Sequence, residues 1–282
     1  QQEDFTGILK AMAGLPVVIR LLDAPMHEFL PNPEEVSEFV RGVLEGGDDD
    51  LDEGQVQILV QRARETNPML GHRGCRLGIT FPQIYEMQVR AIFKASLALV
   101  SQGIQVRPEI MIPLTAHVNE FRILRRNLSG VADEIQEKLG QVPYLFGTMI
   151  EVPRAALTAS EIAQEADFFS FGTNDLTQTT FGFSRDDAEA KFLKKYLDDG
   201  ILPENPFEVI DRSGVGSLIN TAVEAGRQVR NNLEVGICGE HGGDPSSIAF
   251  CHHAQIDYVS CSPFRVPVAR LAAAQAALGV IT

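Results

Sequence analysis

The chain of 282 residues suffices for one large domain or two ordinary ones, and 44% hydrophobic with 22% charged residues is ordinary globular usage, which excludes disorder, collagen and coiled coil. Lysine plus arginine number 24 against 38 acidic residues, a formal charge of −14. Such a surface repels a phosphate polyanion, so no nucleic-acid partner is expected and an anionic ligand must be held by a few arginines gathered in a pocket.

Taken in chain order, runs of aliphatic and β-branched residues predict buried strands at 16–22, 109–114, 145–152, 168–172, 234–239 and 258–262, with a further short one at 71–77. Between them lie helical patterns at 82–100, 119–128, 132–139, 154–165, 216–230 and 268–278. In the first of these, Ile84, Met87, Ala91, Ala95, Ala98 and Leu99 recur at helical spacing. The segment 31–66 differs in composition and carries Gly46-Gly47-Asp48-Asp49-Asp50-Leu51-Asp52-Glu53-Gly54. Counted from Asp48, an EF-hand would need Gly where Glu53 stands and Glu where Leu59 stands, so a solvated acidic loop is the expectation.

Four scattered cysteines, Cys75, Cys238, Cys251 and Cys261, form neither a disulfide framework nor a zinc spacing. No apolar run reaches the roughly 20 residues of a membrane span, and the amino terminus has no basic-then-apolar leader. A soluble protein of a reducing compartment, with no membrane partner, is expected.

Strands alternating with helices imply a parallel sheet. Arg20, Asp23, Glu151, Asn174, Asp175, Cys238 and Glu240 fall at or just past the carboxyl ends of different predicted strands, which is where a barrel assembles its site. A doubly wound sheet would show a Gly-rich turn, and neither G-x-G-x-x-G nor G-x-x-x-x-G-K-[ST] occurs. The expected fold is therefore an α/β (β/α)8 TIM barrel, as one domain over 1–282.

Several of these residues can carry chemistry. Glu151 and Asp175 end successive buried strands, and carboxylates on adjacent strand ends can share one hard cation, Mg2+ suiting them; the alternative is that each caps the following helix. Arg20 interrupts a buried-strand pattern and needs a partner, Asp23 or a ligand. Arg73 and Arg76 put two guanidinium forks beside small residues, and Arg185 follows Asn174 by eleven positions. Cys238, flanked by Gly236 and Gly239, is a thiol proton donor or a nucleophile, with His241 near enough in sequence to suggest a pairing.

At these residues the chain resembles the phosphoenolpyruvate/pyruvate-binding domain that ends the pyruvate, phosphate dikinases. The resemblance rests on the runs Val17–Pro31, Asn67–Leu77 and Ser260–Pro267, on Gly172-Thr173-Asn174-Asp175-Leu176-Thr177-Gln178 and on Cys238-Gly239-Glu240. Phosphoenolpyruvate synthase and phosphotransferase-system Enzyme I share the last two; His72-Arg73-Gly74-Cys75-Arg76 and His241-Gly242-Gly243-Asp244-Pro245-Ser246-Ser247 favour the dikinase. The resemblance implies a phosphotransferase: Mg2+ on Glu151 and Asp175, with Arg20 and Arg73 on phosphoryl and enolate oxygens. It further implies that Gly172, Thr173, Asn174 and Asp175 line the substrate site, that Arg185 lies on the carboxylate side, and that Cys238 protonates the methylene carbon of enolpyruvate.

The partners so implied are phosphoenolpyruvate or pyruvate, the phosphohistidine domain of a parent chain, and a second copy in a homodimer. The implied location is cytoplasmic, or a plastid for a plant parent. Neither the nucleotide-binding domain nor the Thr-Ser-His phosphohistidine motif occurs in these residues, so this chain alone is not expected to complete the dikinase reaction. Family barrels open with a Cys-Arg-Thr-Glu-His-like strand that is also absent here, so the barrel is expected to lack its first strand. The alternatives are a Mg2+-dependent enolate lyase or aldolase on a similar barrel, and a non-catalytic dimerisation fragment.

Overall fold

The computed structural model describes residues 1–25, 28, 54, 55, 58, 60 and 67–281; the acidic segment 46–53 lies outside them. Its strands are β1 (Pro16–Arg20), β2 (Arg107–Ile112), β3 (Leu145–Ile150), β4 (Phe168–Gly172), β5 (Glu234–Cys238) and β6 (Tyr258–Val259). They form one parallel sheet whose spatial order is the order of the chain. A doubly wound sheet reverses order at a switch point; an unreversed sequence of parallel strands is the arc of a TIM-barrel-like fold.

Alternation along the strands sorts their side chains onto two faces. Ile110, Ile112, Phe146, Ile150, Phe169, Phe171, Val235 and Ile237 point outward into the main core, under the connecting helices. The inner face carries a smaller cluster of Met111, Met149 and Phe168, joined by Val18, Leu145 and Cys238. The inner wall is close-packed, because β3 and β5 bear glycines where bulky rings lie across them: Phe168 over Gly147, and Tyr258 over Gly236.

The helix Pro82–Val100 has the predicted bounds, but its buried face is Tyr85, Val89, Ile92, Phe93, Ser96 and Leu99. Met87 and Ala98 face outward. Two helical stripes satisfy the same periodicity, and the one with aromatic and branched side chains removes more apolar area from water. This helix also sets the exit from β1: Gln88 Oε1 accepts the Leu22 N–H at 2.8 Å, and the Tyr85 hydroxyl donates to the Leu22 carbonyl at 2.9 Å.

Three expectations are corrected. The segment 71–77 is not a strand; the helix Cys75–Thr80 starts there, after Gly74 at φ +58°, where a Cβ would lie 2.7 Å from Leu114 Cβ and 2.9 Å from Asp23 Oδ1. The two helices predicted at 119–128 and 132–139 are one, Val118–Leu139, because buried Leu124, Leu128, Val131 and Ile135 carry a single stripe across Gly130. It begins in reciprocal caps, with Glu120 Oε2 accepting the His117 N–H and His117 Nδ1 accepting the Asn119 N–H. The helix predicted at 154–165 is broken into Pro153–Leu157 and Ala159–Ala163 at Thr158.

Among the described residues the sheet thus has six strands, with β1 and β6 at its edges and not paired to each other. With 71–77 not a strand, the described residues supply six strands of an eight-stranded ring rather than seven. The helix Gln2–Ala11 and the short helices Thr173–Phe181, Arg185–Lys191, Leu193–Asp198 and Pro245–His253 were not legible in the apolar periodicity.

The inner wall leaves no room beside Gly147, where an added Cβ would lie 2.5 Å from three Phe168 ring carbons. Gly147→Ala is expected to cost about 1–3 kcal/mol, read as a lower urea midpoint with unchanged m-value.

Candidate active site

At the carboxyl ends of the strands lies a cavity of about 400 Å3 walled by Arg20 from β1, Met111 from β2, Met149 and Glu151 from β3, Gly172 to Asp175 from β4, and Cys238 and Gly239 from β5. Five strand ends therefore contribute. Of the residues expected at the site, Arg20, Glu151, Gly172, Thr173, Asn174, Asp175 and Cys238 share this wall.

Beside it three carboxylates converge: Asp23, Glu151 and Asp175 each offer an oxygen, and these oxygens lie within 4.8 Å of one another. Asp23, read from the sequence as a strand-end residue and a partner for Arg20, is the third carboxylate of this cluster, which sequence reasoning missed; its signal was its place three residues past Arg20. Asp175 sits in the first turn of the helix Thr173–Phe181, so the capping and ligand readings describe one position.

Arg73 ties the group together. Its Nη2 lies 2.7 Å from Asp23 Oδ2 and 3.0 Å from Asp175 Oδ2, and its Nε donates to Asp23 Oδ1 at 3.0 Å. Burial by itself lowers the pKa of this guanidinium, but the hydrogen bonds and charges of Asp23 and Asp175 outweigh it and raise the value further. Arg20 Nη1 reaches Asp23 Oδ2 at 3.3 Å from a half-exposed side chain that opens on the cavity. Arg76 points elsewhere, donating to the carbonyls of Leu70 and Gly71 at 2.8 and 2.7 Å.

Glu151 is 1% exposed. Its Oε1 accepts the Leu114 N–H at 2.6 Å, and Leu114 is held at φ +59° to present that donor, a left-handed conformation that costs a leucine energy. Burial first, then the charges of Asp23 and Asp175, push the Glu151 carboxyl up to about 8. Gly172 is required beside it: a Cβ there would lie 2.6 Å from Met149 Sδ and would overlap Glu151 Oε2.

The Cys238 thiol donates to the Phe171 carbonyl at 3.4 Å. Burial, and then the charge of Glu151, push it up to about 11, so near neutrality it is a protonated acid and not a thiolate nucleophile. His241 is not paired with it. That imidazole is buried between Thr173 Oγ1 at 2.7 Å and the Pro206 carbonyl at 3.0 Å. Burial lowers its pKa, and since a carbonyl only accepts, the neutral ring carries its proton on Nε2. The Thr173 hydroxyl also lies 2.8 Å from the Cys238 carbonyl, and its one hydrogen goes to either that carbonyl or His241 Nδ1. Gly239 follows at φ +98°, where a Cβ would lie 2.6 Å from Thr173 Oγ1. Asn174 Oδ1 is buried with no hydrogen-bond partner, an acceptor held against the cavity.

Arg185 does not reach the cavity wall. Its Nε pairs with Glu189 Oε1 at 3.1 Å and its guanidinium lies 5.8 Å above the Phe207 ring. Its backbone N–H, however, donates to Gln178 Oε1 at 2.8 Å, while Gln178 Nε2 donates to Asp175 Oδ1 at 3.3 Å. It is connected to the site through its main chain.

The family described as PEP-utilising enzyme, PEP-binding domain, matches residues 1–278. The pyruvate, phosphate dikinase of Entamoeba histolytica is 55% identical over 280 residues, which cover 98% of this chain and 32% of that protein. The chloroplastic pyruvate, phosphate dikinase of Flaveria pringlei is 56% identical over 276 residues, covering 98% of this chain and 28% of that one. The chloroplastic pyruvate, phosphate dikinase 1 of Arabidopsis thaliana is 56% identical over 276 residues, with the same two shares. The chain spans about a third of the length of these relatives.

A carboxyl raised to about 8 in the folded chain, against about 4.3 unfolded, holds a proton that the unfolded state has lost, so in chelator its contribution to stability falls as pH rises through that window. Thermal unfolding in chelator is expected to show a melting temperature declining from pH 5 to 8.5, and Glu151→Gln to flatten the decline. An equal slope in both proteins would refute the assignment.

Proposed function

The chain belongs to the PEP-binding domain family of the PEP-utilising enzymes, and on that premise we propose that it carries the phosphoryl-transfer half-reaction between a phosphohistidine and pyruvate in a pyruvate, phosphate dikinase. The observation that carries this reading is the pairing, over one cavity, of a carboxylate and arginine cluster with a neutral thiol. The first is suited to an oxyanion, the second to a carbon that must take up a proton.

In the direction that forms pyruvate, the phosphoryl group leaves phosphoenolpyruvate for the histidine nitrogen and the enolate remains. Arg20, half-exposed at the cavity edge, meets its anionic oxygens, and Arg73 holds Asp23 and Asp175 in place. Asn174 borders the same cavity, where its side-chain amide would meet the ligand. Cys238 passes its thiol proton to the methylene carbon, giving the methyl group, and recovers a proton from solvent; the reverse direction starts with removal of a methyl proton. The pKa of about 11 keeps the acid loaded at neutral pH.

Asp23, Glu151 and Asp175 fit a hard divalent cation such as Mg2+, their oxygens being close enough for one ion and one carboxyl being unsettled by burial beside two like charges. When bound, such an ion supplies positive charge against the enolate and phosphoryl oxygens.

The same reading takes the six-stranded arc as part of a closed (β/α)8 barrel, and the partners as a phosphohistidine domain of the parent chain and a second copy of this one. It places the protein in the cytoplasm or a plastid; among the described residues no helix is long and apolar enough to cross a membrane. An enolate lyase would use the same carboxylates but needs no thiol acid for pyruvate.

Cys238→Ala is expected to lower deuterium exchange into the methyl group of pyruvate by roughly 100-fold or more, while calorimetry still detects Mg2+-dependent binding of oxalate, an enolpyruvate mimic. Undiminished exchange would overturn the role of Cys238. Absence of any metal-dependent oxalate heat in the unsubstituted chain would overturn the site itself.

A further inference from the structure

Two of the runs that carry the resemblance, His241–Ser247 and Ser260–Pro267, supply no residue to the cavity described above, yet they meet beside it. Gly242 has no room for a Cβ, which would overlap the Ser260 carbonyl oxygen. A Cβ on Gly243 would lie 3.0 Å from Arg265 Cγ and 3.3 Å from its Cδ. The glycine pair thus seats the chain that leaves β6 directly on the turn Glu240–Gly243 that follows β5, with the Arg265 stem laid over it. The Arg265 N–H donates to the Ser262 carbonyl at 2.9 Å and closes the short turn Pro263–Arg265.

Between these segments lies a second cavity of about 310 Å3, walled in part by Cys238, Gly239, Glu240, Ser260, Ser262 and Arg265. Cys238 and Gly239 border the first cavity as well, so the thiol stands where the two adjoin. Arg265 is the basic residue of the second one. Arg20, Arg212 and Arg227, which line other cavities, each hold an oxygen of Asp23, Ser246 and Asp257 respectively; among the described residues the Arg265 guanidinium holds none. A guanidinium fork and two serine hydroxyls form a donor set that suits a carboxylate. Exposed Glu240, on the same wall, opposes an anion there.

The place of this donor set relative to the thiol selects the anion it meets. In the proposed reaction Cys238 hands its proton to the methylene carbon, C3, so C3 lies against the thiol and a substituent on C3 extends past it. Pyruvate carries only hydrogen at C3. We propose that the second cavity is a subsite for an anionic group on C3, where Arg265, with Ser260 and Ser262, receives the distal carboxylate of a 2-oxo diacid whose 2-oxo acid end occupies the first cavity. The inference rests on the reading of the first cavity given above. It makes Arg265 a specificity-determining residue: a 2-oxo acid with a methyl group on C3 gains nothing from it, and one with a carboxylate there does.

Deuterium exchange into the methyl group of pyruvate, followed by NMR with Mg2+ present, tests this with two competitors of like size. Oxaloacetate carries a carboxylate on C3 and 2-oxobutyrate a methyl group. Oxaloacetate is expected to inhibit roughly tenfold more tightly, the factor that a charge-assisted hydrogen bond supplies. Arg265→Met keeps an apolar stem over Gly243 and is expected to abolish that preference, weakening oxaloacetate about tenfold and 2-oxobutyrate less than about twofold. Glu240→Gln is expected to shift oxaloacetate the other way, to tighter inhibition. Both replaced side chains are exposed, and Mg2+-dependent oxalate heat reports that each variant keeps its first cavity. The subsite is overturned if the two competitors inhibit alike, or if Arg265→Met weakens both equally, in a chain that still binds oxalate. If the unsubstituted chain shows neither exchange nor oxalate heat, the reading of the first cavity fails and the subsite falls with it.

Discussion

The site is governed by a charge balance that does not close. Three carboxylates, Asp23, Glu151 and Asp175, meet two guanidinium groups, and the deeper of these, Arg73, is shared between Asp23 and Asp175. With Glu151 protonated the group is neutral; with Glu151 ionised it carries one excess negative charge in a buried place, which water cannot relieve. A proton on Glu151 and a cation beside it are the two ways of removing that charge. The pKa of Glu151, the grip of Arg73 and the capacity for a metal are thus three expressions of one electrostatic constraint.

The fold meets that constraint by distributing its groups over several strand ends and fixing each with backbone. Tyr85 and Gln88 clasp the main chain after β1 and so deliver Asp23. The left-handed Leu114 turns its N–H toward Glu151, and Gly74 lets the loop of Arg73 pass against Leu114 and Asp23. Gly172 and Gly239 keep the wall free of side chains where Glu151 and Thr173 approach it. Leu114, Gly74, Gly172 and Gly239 place left-handed backbone and close approach at the carboxyl end of the sheet, while the outer face is an ordinary core of aliphatic and aromatic residues.

Cys238 shows the same economy. A thiol is a proton source at neutral pH when its thiolate is disfavoured on balance, and here burial and the carboxylate of Glu151 outweigh the opposing charge of Arg20 and the hydroxyl of Ser170. The nearby imidazole, which could have turned this cysteine into a nucleophile, is held by Thr173 and the Pro206 carbonyl. The direction in which His241 points decides between two chemistries for the same pair of residue types.

Much of this was legible along the chain. Buried parallel strands announce themselves as uninterrupted aliphatic runs, because both faces are covered, and all six were found within two or three residues of their ends. Glu151, Asp175 and Cys238 stood out because a polar side chain directly after such a run has a strand end to sit on. Short helices were missed, since six to ten residues hold too few turns to show a period. The segment 71–77 was misread because its small and apolar residues serve a glycine-initiated turn into a helix rather than a strand.

What the sequence by itself determined is the class of fold, the strand ends and the residue types available there, all of which follow from local periodicity and from the cost of burying charge. Which arginine enters the site was decided only by tertiary structure: Arg73 and Arg76 are three residues apart, but Arg73, before the Gly74 turn, reaches Asp23 and Asp175, while Arg76, inside the helix that follows, reaches loop carbonyls. The same holds for Asp23 as third carboxylate and for Arg185, whose side chain turns to Glu189. Contacts between residues dozens of positions apart depend on how the strands come together in space, and no local pattern records that.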